Sequence, residues 1–268
     1  MALTPDEIAL KYEVDLDLVE QAVANLEAKQ AIFLTVSGKL GAGKDTIAPL
    51  ITQALGFPSA EHEFFARPLK EEVNQVVAII QEVRSLEEAI LASNILLHTE
   101  LSAEPVTAIY EAVKSGELTS AYDRTAEMRR ALQLWGTEVR RSVDENYWVK
   151  KATQSAIAKI AEGISVYVTD SRFPNEADAI DDIGGMVVRI VVSPEEQRRR
   201  IMARDGIEPD PNAINHVSET SLDDYDFRIS ILTDNKSIED VVAEALAKIA
   251  RDGTVLEASL TNSARLDH

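Results

Sequence analysis

Apolar positions along the chain follow two different periods. Residues 32–36 form a nearly continuous apolar, β-branched run, which predicts a buried strand. Comparable runs occur at 164–169, 186–192 and 227–233. Between these runs the apolar residues recur at helical spacing, beginning with residues 44–54. Strands that alternate with helices predict an α/β fold built on a parallel sheet.

The first strand runs directly into a glycine-rich turn and then a helix. Gly38 and Lys44 frame a G-x-x-x-x-G-K spacing, the P-loop pattern that cradles nucleotide phosphates. Glycines let backbone N–H groups converge on an anion, and the following helix points its positive end at the same place. The lysine would reach the β- and γ-phosphates as a point charge. We assign ATP to this loop, through Gly38, Leu40, Gly41, Ala42, Gly43, Lys44, Asp45 and Thr46.

Oxygen ligands for Mg²⁺ are expected at two places. Asp45 stands where the motif normally has Ser or Thr, so either Thr46 supplies the hydroxyl or Asp45 acts through water. Asp170 ends the apolar run 164–169, an arrangement in which a carboxylate reaches Mg²⁺ or its waters. Ligands bind beyond the carboxyl ends of parallel strands, so we expect Asp170 and Arg172 beside the P-loop. The predicted metal site is Asp45, Thr46 and Asp170.

Two helical stretches carry arginines. A helix opening at Pro194 carries four of them, and a flexible segment follows at 205–211. We interpret this stretch as a lid that closes over phosphates and excludes water; the alternative is an exposed face paired with acids. A second stripe lies within residues 124–150 and suits a phosphate and a nucleobase, although a solvated charged face explains it equally well. The helix that opens at Pro194 carries Arg198, Arg199, Arg200 and Arg204. The stripe within residues 124–150 consists of Arg129, Gln133, Gly136, Thr137 and Arg140.

The N-terminal segment predicts an accessory element. Residues 4–29 have an apolar stripe for two short helices, with Thr4 as N-cap and Pro5 at the first helical position. The stripe resembles a helix-turn-helix, but the segment is acidic and has no arginine for reading DNA. We therefore expect a helical hairpin packed on the core or on a second subunit.

Composition narrows the classes of function. The 268 residues suffice for one α/β domain with an insertion or for two small domains. The absence of cysteine excludes a disulfide framework and a thiolate metal site. A formal net charge of −19 disfavours nucleic acid and anionic lipid as partners, so an anionic ligand must be held by local arginines. No apolar run approaches a membrane span and the N-terminus has no signal-peptide pattern, so we expect a cytoplasmic protein without a membrane partner.

Five sequence motifs follow one another along the chain. They are Ser37-Gly38 with Gly43-Lys44-Asp45-Thr46, Arg67-Pro68-Leu69-Lys70, Leu132-Gln133 with Gly136-Thr137-Glu138 and Arg140, Asp170-Ser171-Arg172-Phe173-Pro174-Asn175-Glu176, and His216-Val217-Ser218-Glu219. Taken in order, these motifs resemble the deoxynucleoside monophosphate kinases of tailed bacteriophages. The resemblance covers residues 32–249 and leaves the first 30 outside it. A Gly-Lys-Asp sequence in place of Gly-Lys-Ser is typical of that family, so Asp45 supports the match.

The resemblance implies a P-loop NTPase fold, a parallel sheet flanked by helices. It implies a kinase domain at 31–250, and outside this domain we expect the helical extension at 1–30 and a tail at 251–268. Within the kinase domain, about 67–160 would bind the acceptor and about 195–220 would form the lid. The implied reaction is Mg²⁺- and ATP-dependent phosphorylation of a deoxynucleoside 5′-monophosphate to the diphosphate, in the host cytoplasm if the protein is phage-encoded.

The resemblance also implies residue roles. Lys44, Asp170, Arg172 and Arg204 would be catalytic, and Arg200 and Asn235 would join the ATP site. His216 and Glu219 are placed at the site by resemblance alone. The acceptor would be held by Arg67, Lys70, Arg129, Gln133, Gly136, Thr137, Arg140, Trp148, Asn175, Glu176, His216, Ser218 and Glu219.

Other acceptors and another class of function stay open. Gly-Lys-Asp P-loops also occur in kinases that resemble phosphomevalonate kinase and in kinases of modified DNA bases. A nucleotide-gated binding protein, with the N-terminal hairpin as its reader, is the alternative outside enzymology. The preferred base, deoxyribose against ribose, and a homodimeric state are not decided by the sequence.

Overall fold

The computed structural model describes residues 3–97, 103–123, 125, 128, 131–132, 134–209 and 211–252. The chain forms two compact units. We call the first the sheet unit, which draws on Met1–Phe65 and Thr153–His268, and the second the helical unit, Ala66–Ala152.

A five-stranded, wholly parallel sheet organises the sheet unit, as the alternating strand and helix patterns predicted. Its strands are β1 Phe33–Gly38, β2 Glu61–Glu63, β3 Val166–Val168, β4 Met186–Val191 and β5 Ile229–Leu232. Their order is β2-β3-β1-β4-β5, so β1 is central, with β3 and β4 as its neighbours. Every residue of β1 is buried, which explains its nearly continuous apolar sequence.

Helices account for most of the remaining described chain. In order they are α1 Pro5–Tyr12, α2 Leu16–Glu27, α3 Lys44–Ala54, α4 Arg67–Glu82, α5 Leu86–Leu97, α6 Ala103–Lys114, a π-helix Trp135–Arg141, α7 Tyr147–Ala161, α8 Pro174–Asp182, α9 Pro194–Asp205, α10 Pro211–Ile214, α11 Val217–Thr220 and α12 Ile238–Asp252. Among the described residues, no helix is both long and apolar enough to cross a membrane.

The core of the sheet unit fixes the start of α3 at the carboxyl end of β1. Alternate residues of β1, such as Leu34 and Val36, pack with Ile47 and Ile51 of α3. The same cluster takes in Val241 of α12, so α3 and α12 are held on the sheet together. Burial of such side chains stabilises by about 1.5–3 kcal/mol each relative to exposure. The glycine turn between β1 and α3 therefore has rigid elements on both sides.

The N-terminal hairpin is part of the sheet unit. Thr4 caps α1 as predicted, its Oγ1 accepting the N–H of Glu7. The Asn25 amide donates to the Ile160 and Ala161 carbonyls, at 2.8 and 3.0 Å, and so satisfies the C-terminal end of α7. The expected packing on the core is thus observed. The exposed positions of α2 include acids and no cation, namely Asp17, Glu20 and Glu27.

Strand β2 was not predicted from the sequence. Its residues Glu61, His62 and Glu63 are polar, so they show no apolar run. It lies at the sheet edge and pairs with β3, and Glu63 forms an ion pair with Lys159. Tertiary pairing, rather than strand propensity, therefore creates this strand.

The helical unit has its own apolar core. Met128, Trp135 and Ile109 are fully buried in it, and α4 contributes Val76 and Ile80. Met128, Leu132, Trp135 and Val139, which recur at helical spacing in the sequence, line this core together, and residues Trp135–Arg141 form a π-helix rather than a regular α-helix.

Candidate active site

The loop between β1 and α3 has the backbone that its glycines predicted. Gly41 and Gly43 have φ values of +78° and +93°, a conformation that other residues adopt at a cost. A Cβ on Gly38 would lie 2.9 Å from the Ile190 carbonyl oxygen, so only glycine fits between β1 and β4. The positive end of α3, which begins at Lys44, faces out of this turn.

Lys44 lies in a field of mixed charge. Burial lowers the pKa of its amine, and Arg172 and Arg204 lower it further. Asp45 and Asp170 act in the opposite direction. Four of the predicted site residues therefore act electrostatically on Lys44 in the folded sheet unit.

Strand order brings Asp170 to the P-loop. Thr35 of β1 is paired with Val168 of β3, so the residues that follow both strands leave the sheet side by side. The Ser37 hydroxyl donates to the Ser171 carbonyl at 3.1 Å, which joins the two strand ends. The Asp170 carboxylate accepts the Phe65 N–H at 2.9 Å. This placement agrees with the expectation for a carboxylate at the strand end.

Glu219 is bonded to both the P-loop and Arg172. One carboxylate oxygen accepts the Leu40 N–H at 2.6 Å, and the other accepts from the Arg172 guanidinium. The Glu219 side chain is only 8% exposed. Burial lowers the pKa of Arg172, while Asp170 raises it.

The His-Val-Ser-Glu motif aims this carboxylate. His216 caps α11, its Nδ1 accepting the Ser218 N–H at 3.2 Å. The Ser218 hydroxyl lies 2.9 Å from the same nitrogen. The cap fixes the first turn of α11, from which Glu219 extends toward the loop.

A cavity of about 240 Å³ adjoins the P-loop on the β5 side. The Arg200 guanidinium forms one wall and donates to the carbonyls of Ala42 and Thr233, at 3.2 and 3.1 Å. Asn235 has a left-handed backbone in the turn after β5 but is not part of the lining. Sequence reasoning missed the other lining residues beyond the P-loop, which are Thr233, Lys236, Ser237, Ile238 and Val241.

The arginines of α9 divide into two groups. Arg200 is held inward, whereas Arg198, Arg199 and Arg204 have side chains that are 56–70% exposed. These exposed arginines pair with Glu208, Glu196 and Asp205 respectively. Hydrogen bonds from Arg199 and Arg200 lower the pKa of Glu196 to about 2. Three of the four arginines of α9 therefore lie on an exposed face and are paired with acids, as the alternative to the lid interpretation predicts.

Arg140 belongs to a buried network of the helical unit. Its Nε donates to Glu72 at 2.6 Å, and its Nη2 donates to the Leu97 carbonyl at 3.2 Å. Trp135 and Tyr147 also donate to the Glu72 carboxylate, at 3.0 and 3.2 Å. The guanidinium lies over the Tyr147 ring, 4.7 Å from its centre. Arg140 is thus enclosed by its own unit.

Two further predicted acceptor residues of the helical unit make packing contacts. The Trp148 indole is 3% exposed and donates to the Gly136 carbonyl at 3.0 Å. A Cβ on Gly136 would lie 3.2 Å from Leu69, which accounts for the glycine. Arg67 begins α4, and the Lys70 amine lies 5.2 Å from the Tyr122 ring centre.

The remaining acceptor predictions lie in α8 or outside the described chain. Glu176 caps α8 by accepting the N–H groups of Arg172 and Phe173, at 2.7 and 3.2 Å. Asn175 is partly buried in the first turn of α8. Arg129, Gln133 and the side chain of Thr137 fall outside the described residues.

Comparison with known proteins agrees with the motifs. The chain is 33% identical over 96 residues to "Uncharacterized protein ORF77" of Ictalurid herpesvirus 1 (strain Auburn). That alignment covers 35% of this chain and spans 37% of the relative's length. The family model "Deoxynucleotide monophosphate kinase" matches residues 67–243, more than half of the chain. The P-loop precedes the matched residues and is an independent observation. The family resemblance drawn from the motifs is confirmed, and the chain belongs to the deoxynucleotide monophosphate kinase family.

Proposed function

We propose that the protein transfers the γ-phosphoryl group of ATP to a deoxynucleoside 5′-monophosphate and releases ADP and the diphosphate. The observation that carries the proposal is the gathering of Lys44, Asp170 and Arg172 around the P-loop. Membership of a family of deoxynucleotide monophosphate kinases supports this acceptor class.

The donor nucleotide fits the sheet unit. The N–H groups of the P-loop and the Lys44 amine would hold its phosphates. A cavity of about 240 Å³ approaches the size of a small-ligand site and would take the adenine. The Arg200 guanidinium, already fixed by Ala42 and Thr233, offers a flat cationic wall for a purine ring.

The oxygen donors fit Mg²⁺ bound together with phosphates. Among the described residues, no group of three or more acidic or histidine side chains could hold a metal ion. Mg²⁺ commonly uses one or two carboxylates plus substrate phosphates, which matches Asp45, Thr46 and Asp170. Bound there, the ion would neutralise charge on the phosphates.

Transfer itself requires positioning and charge neutralisation. An acceptor phosphate is already ionised, so it needs little help from a general base. The protein's task is to align donor and acceptor and to stabilise charge on the transferred group. We assign that stabilisation to Arg172, with Arg204 contributing from the lid at about 195–220.

We propose the helical unit as the acceptor-binding region. Arg67 and Lys70, at the start of α4, are the cations we retain for the acceptor, with Arg129 and Gln133 beyond the described residues. We assign Arg140 and Trp148 to supporting this unit from inside, because their polar groups bond within its core.

The test is ADP release from Mg-ATP, with dAMP, dGMP, dCMP, dTMP and 5-hydroxymethyl-dUMP offered separately, beside ribonucleotides, mevalonate 5-phosphate and duplex DNA. We expect turnover with one or a few deoxynucleotides, and a fall in that turnover by orders of magnitude in Lys44→Ala. Turnover only with mevalonate 5-phosphate or DNA would overturn the acceptor. ATP binding without any turnover would favour a nucleotide-gated binding protein. The acidic exposed positions of α2 argue against DNA as the partner of such a protein.

A further inference from the structure

Both backbone polar groups of Leu40 are hydrogen-bonded to side chains. Its carbonyl accepts from the Gln197 amide at 2.8 Å, and its N–H donates to Glu219 at 2.6 Å. Gln197 is 7% exposed and the Glu219 side chain 8%, so both bonds are shielded from water. Gln197 lies in α9 and Glu219 in α11, on either side of the segment that begins at Gly206. Residues near both ends of the proposed lid, Gln197 and Glu219, are therefore bonded to the same residue of the P-loop.

A second carboxylate on the same side reinforces this arrangement. Asp223, four residues after Glu219, accepts from the amine of Lys39 at 2.7 Å. Asp223 also pairs with Arg189 of β4 at 3.4 Å, and Arg189 donates to Ser37 at the end of β1. Residues 219–223 thus contact two consecutive residues of the P-loop, Lys39 and Leu40.

The special feature of Glu219 is its second oxygen, which accepts from Arg172. We propose that Glu219 is a positioning residue, which holds the Arg172 guanidinium at a fixed place relative to the P-loop. The inference rests on the proposed function, in which Arg172 stabilises the transferred phosphoryl group. A guanidinium has five N–H donors, so one bond to Glu219 can orient its plane and leave other donors for phosphate oxygens.

The positioning role predicts an effect on transfer rather than on ATP binding. Glu219→Gln keeps an oxygen for Leu40 but loses the charge that holds Arg172. We expect kcat to fall about tenfold and the KM for ATP to change by less than about threefold. Asp181→Asn is the matched control, because Asp181 also pairs with an arginine, Arg228, but its side chain is 42% exposed and lies outside both the loop and the proposed lid. An equal loss in the control, or a rise in kcat in Glu219→Gln, would overturn the proposal.

A double-mutant cycle with Arg172→Ala tests whether Glu219 acts through that arginine. We expect Glu219→Gln to cause no further loss of kcat in the Arg172→Ala protein. Additive losses would show an independent effect and would overturn the positioning role. Thermal unfolding of each variant confirms that the folded protein is being assayed.

A third readout does not depend on turnover. Amide hydrogen exchange of a peptide covering residues 38–44 should be faster in Glu219→Ala, which removes the acceptor, than in Glu219→Gln. Unchanged exchange in Glu219→Ala would contradict the contact on which the inference stands. Absence of transfer by the wild-type protein to every acceptor would instead contradict the proposed function, so the two failures are distinct.

Discussion

An arginine is paired with a glutamate in each unit, and the two pairs have different surroundings. In the helical unit, Glu72 accepts from Arg140, Trp135 and Tyr147, all side chains of the same unit. In the sheet unit, Glu219 accepts from Arg172 and from a backbone N–H of the P-loop. Both pairs are well shielded from water, since the four side chains are 8–26% exposed.

The difference shows that burial of an ion pair does not by itself indicate a functional site. Arg140 is committed to Glu72, to a carbonyl and to a tyrosine ring, so its donors stabilise the unit itself. Arg172 instead has Lys44, Asp45 and Asp170 as electrostatic neighbours, next to the glycine turn between β1 and α3. The two pairs are distinguished by the other contacts of the glutamate, which are side chains of the core for Glu72 and the Leu40 N–H for Glu219. We therefore expect Arg140 to govern folding and Arg172 to govern chemistry.

The largest expected effect on chemistry is that of Lys44→Ala. Turnover should fall by roughly 10²–10³-fold, because the positive charge on the transferring phosphates is lost. Thermal unfolding should not occur at a lower temperature, since the substitution removes a buried cation whose pKa is already lowered by burial. Steady-state kinetics and calorimetry on the same preparation measure both. Near-normal turnover in the folded variant would remove the P-loop assignment.

The largest expected effect on stability is that of Arg140→Ala. Removing one partner of a buried pair leaves Glu72 uncompensated, at a cost of about 3–5 kcal/mol in the free energy of unfolding. The fraction of the variant that is folded should bind ATP with unchanged affinity. Denaturant titration measures the first and equilibrium binding the second, with exposed Arg84→Ala as control. Unchanged stability with weakened deoxynucleotide binding would return Arg140 to the acceptor site.

Replacing each arginine by lysine sharpens the comparison. Lysine keeps the charge but loses the planar fork of donors. Arg172→Lys should lower kcat by about tenfold with little change in unfolding temperature. Arg140→Lys should lower the unfolding temperature with little change in kcat, because it loses the bond to the Leu97 carbonyl. The same outcome in both variants would mean that the two pairs serve the same purpose.

The smallest effect is expected in the pH dependence. Burial lowers the pKa of Lys44, so the folded protein loses this proton at a lower pH than its usual 10.5. Because the amine must be charged to bind phosphate, kcat/KM for ATP should decline at a pH below 10.5. The free energy of unfolding should rise with pH over the same range, because loss of the proton removes the cost of burying the charge. Lys44→Arg should remove that alkaline decline. A decline at or above 10.5 in the wild-type protein would contradict the lowered pKa.

Much of the local structure around the proposed donor site could be predicted because its determinants are local. The apolar run of β1, the glycines at Gly41 and Gly43 and the helix that follows are short-range features of backbone sterics. The carboxylate at the end of β3 followed from the same logic, because parallel strands end at a common edge. Membership of the kinase family, read from ordered motifs, was confirmed by the family match.

The sequence by itself therefore determined the α/β class, the glycine turn between β1 and α3, and the family. Only the tertiary structure decided which charges meet: Arg172 and Glu219 are 47 positions apart, and Glu72 and Arg140 are 68 apart. It also created β2, whose polar residues become a strand by pairing with β3, and assembled the cavity beside Arg200. The reason is physical. Periodicity and left-handed turns depend on neighbouring residues, whereas the partner of a buried charge depends on chain segments that only folding brings together.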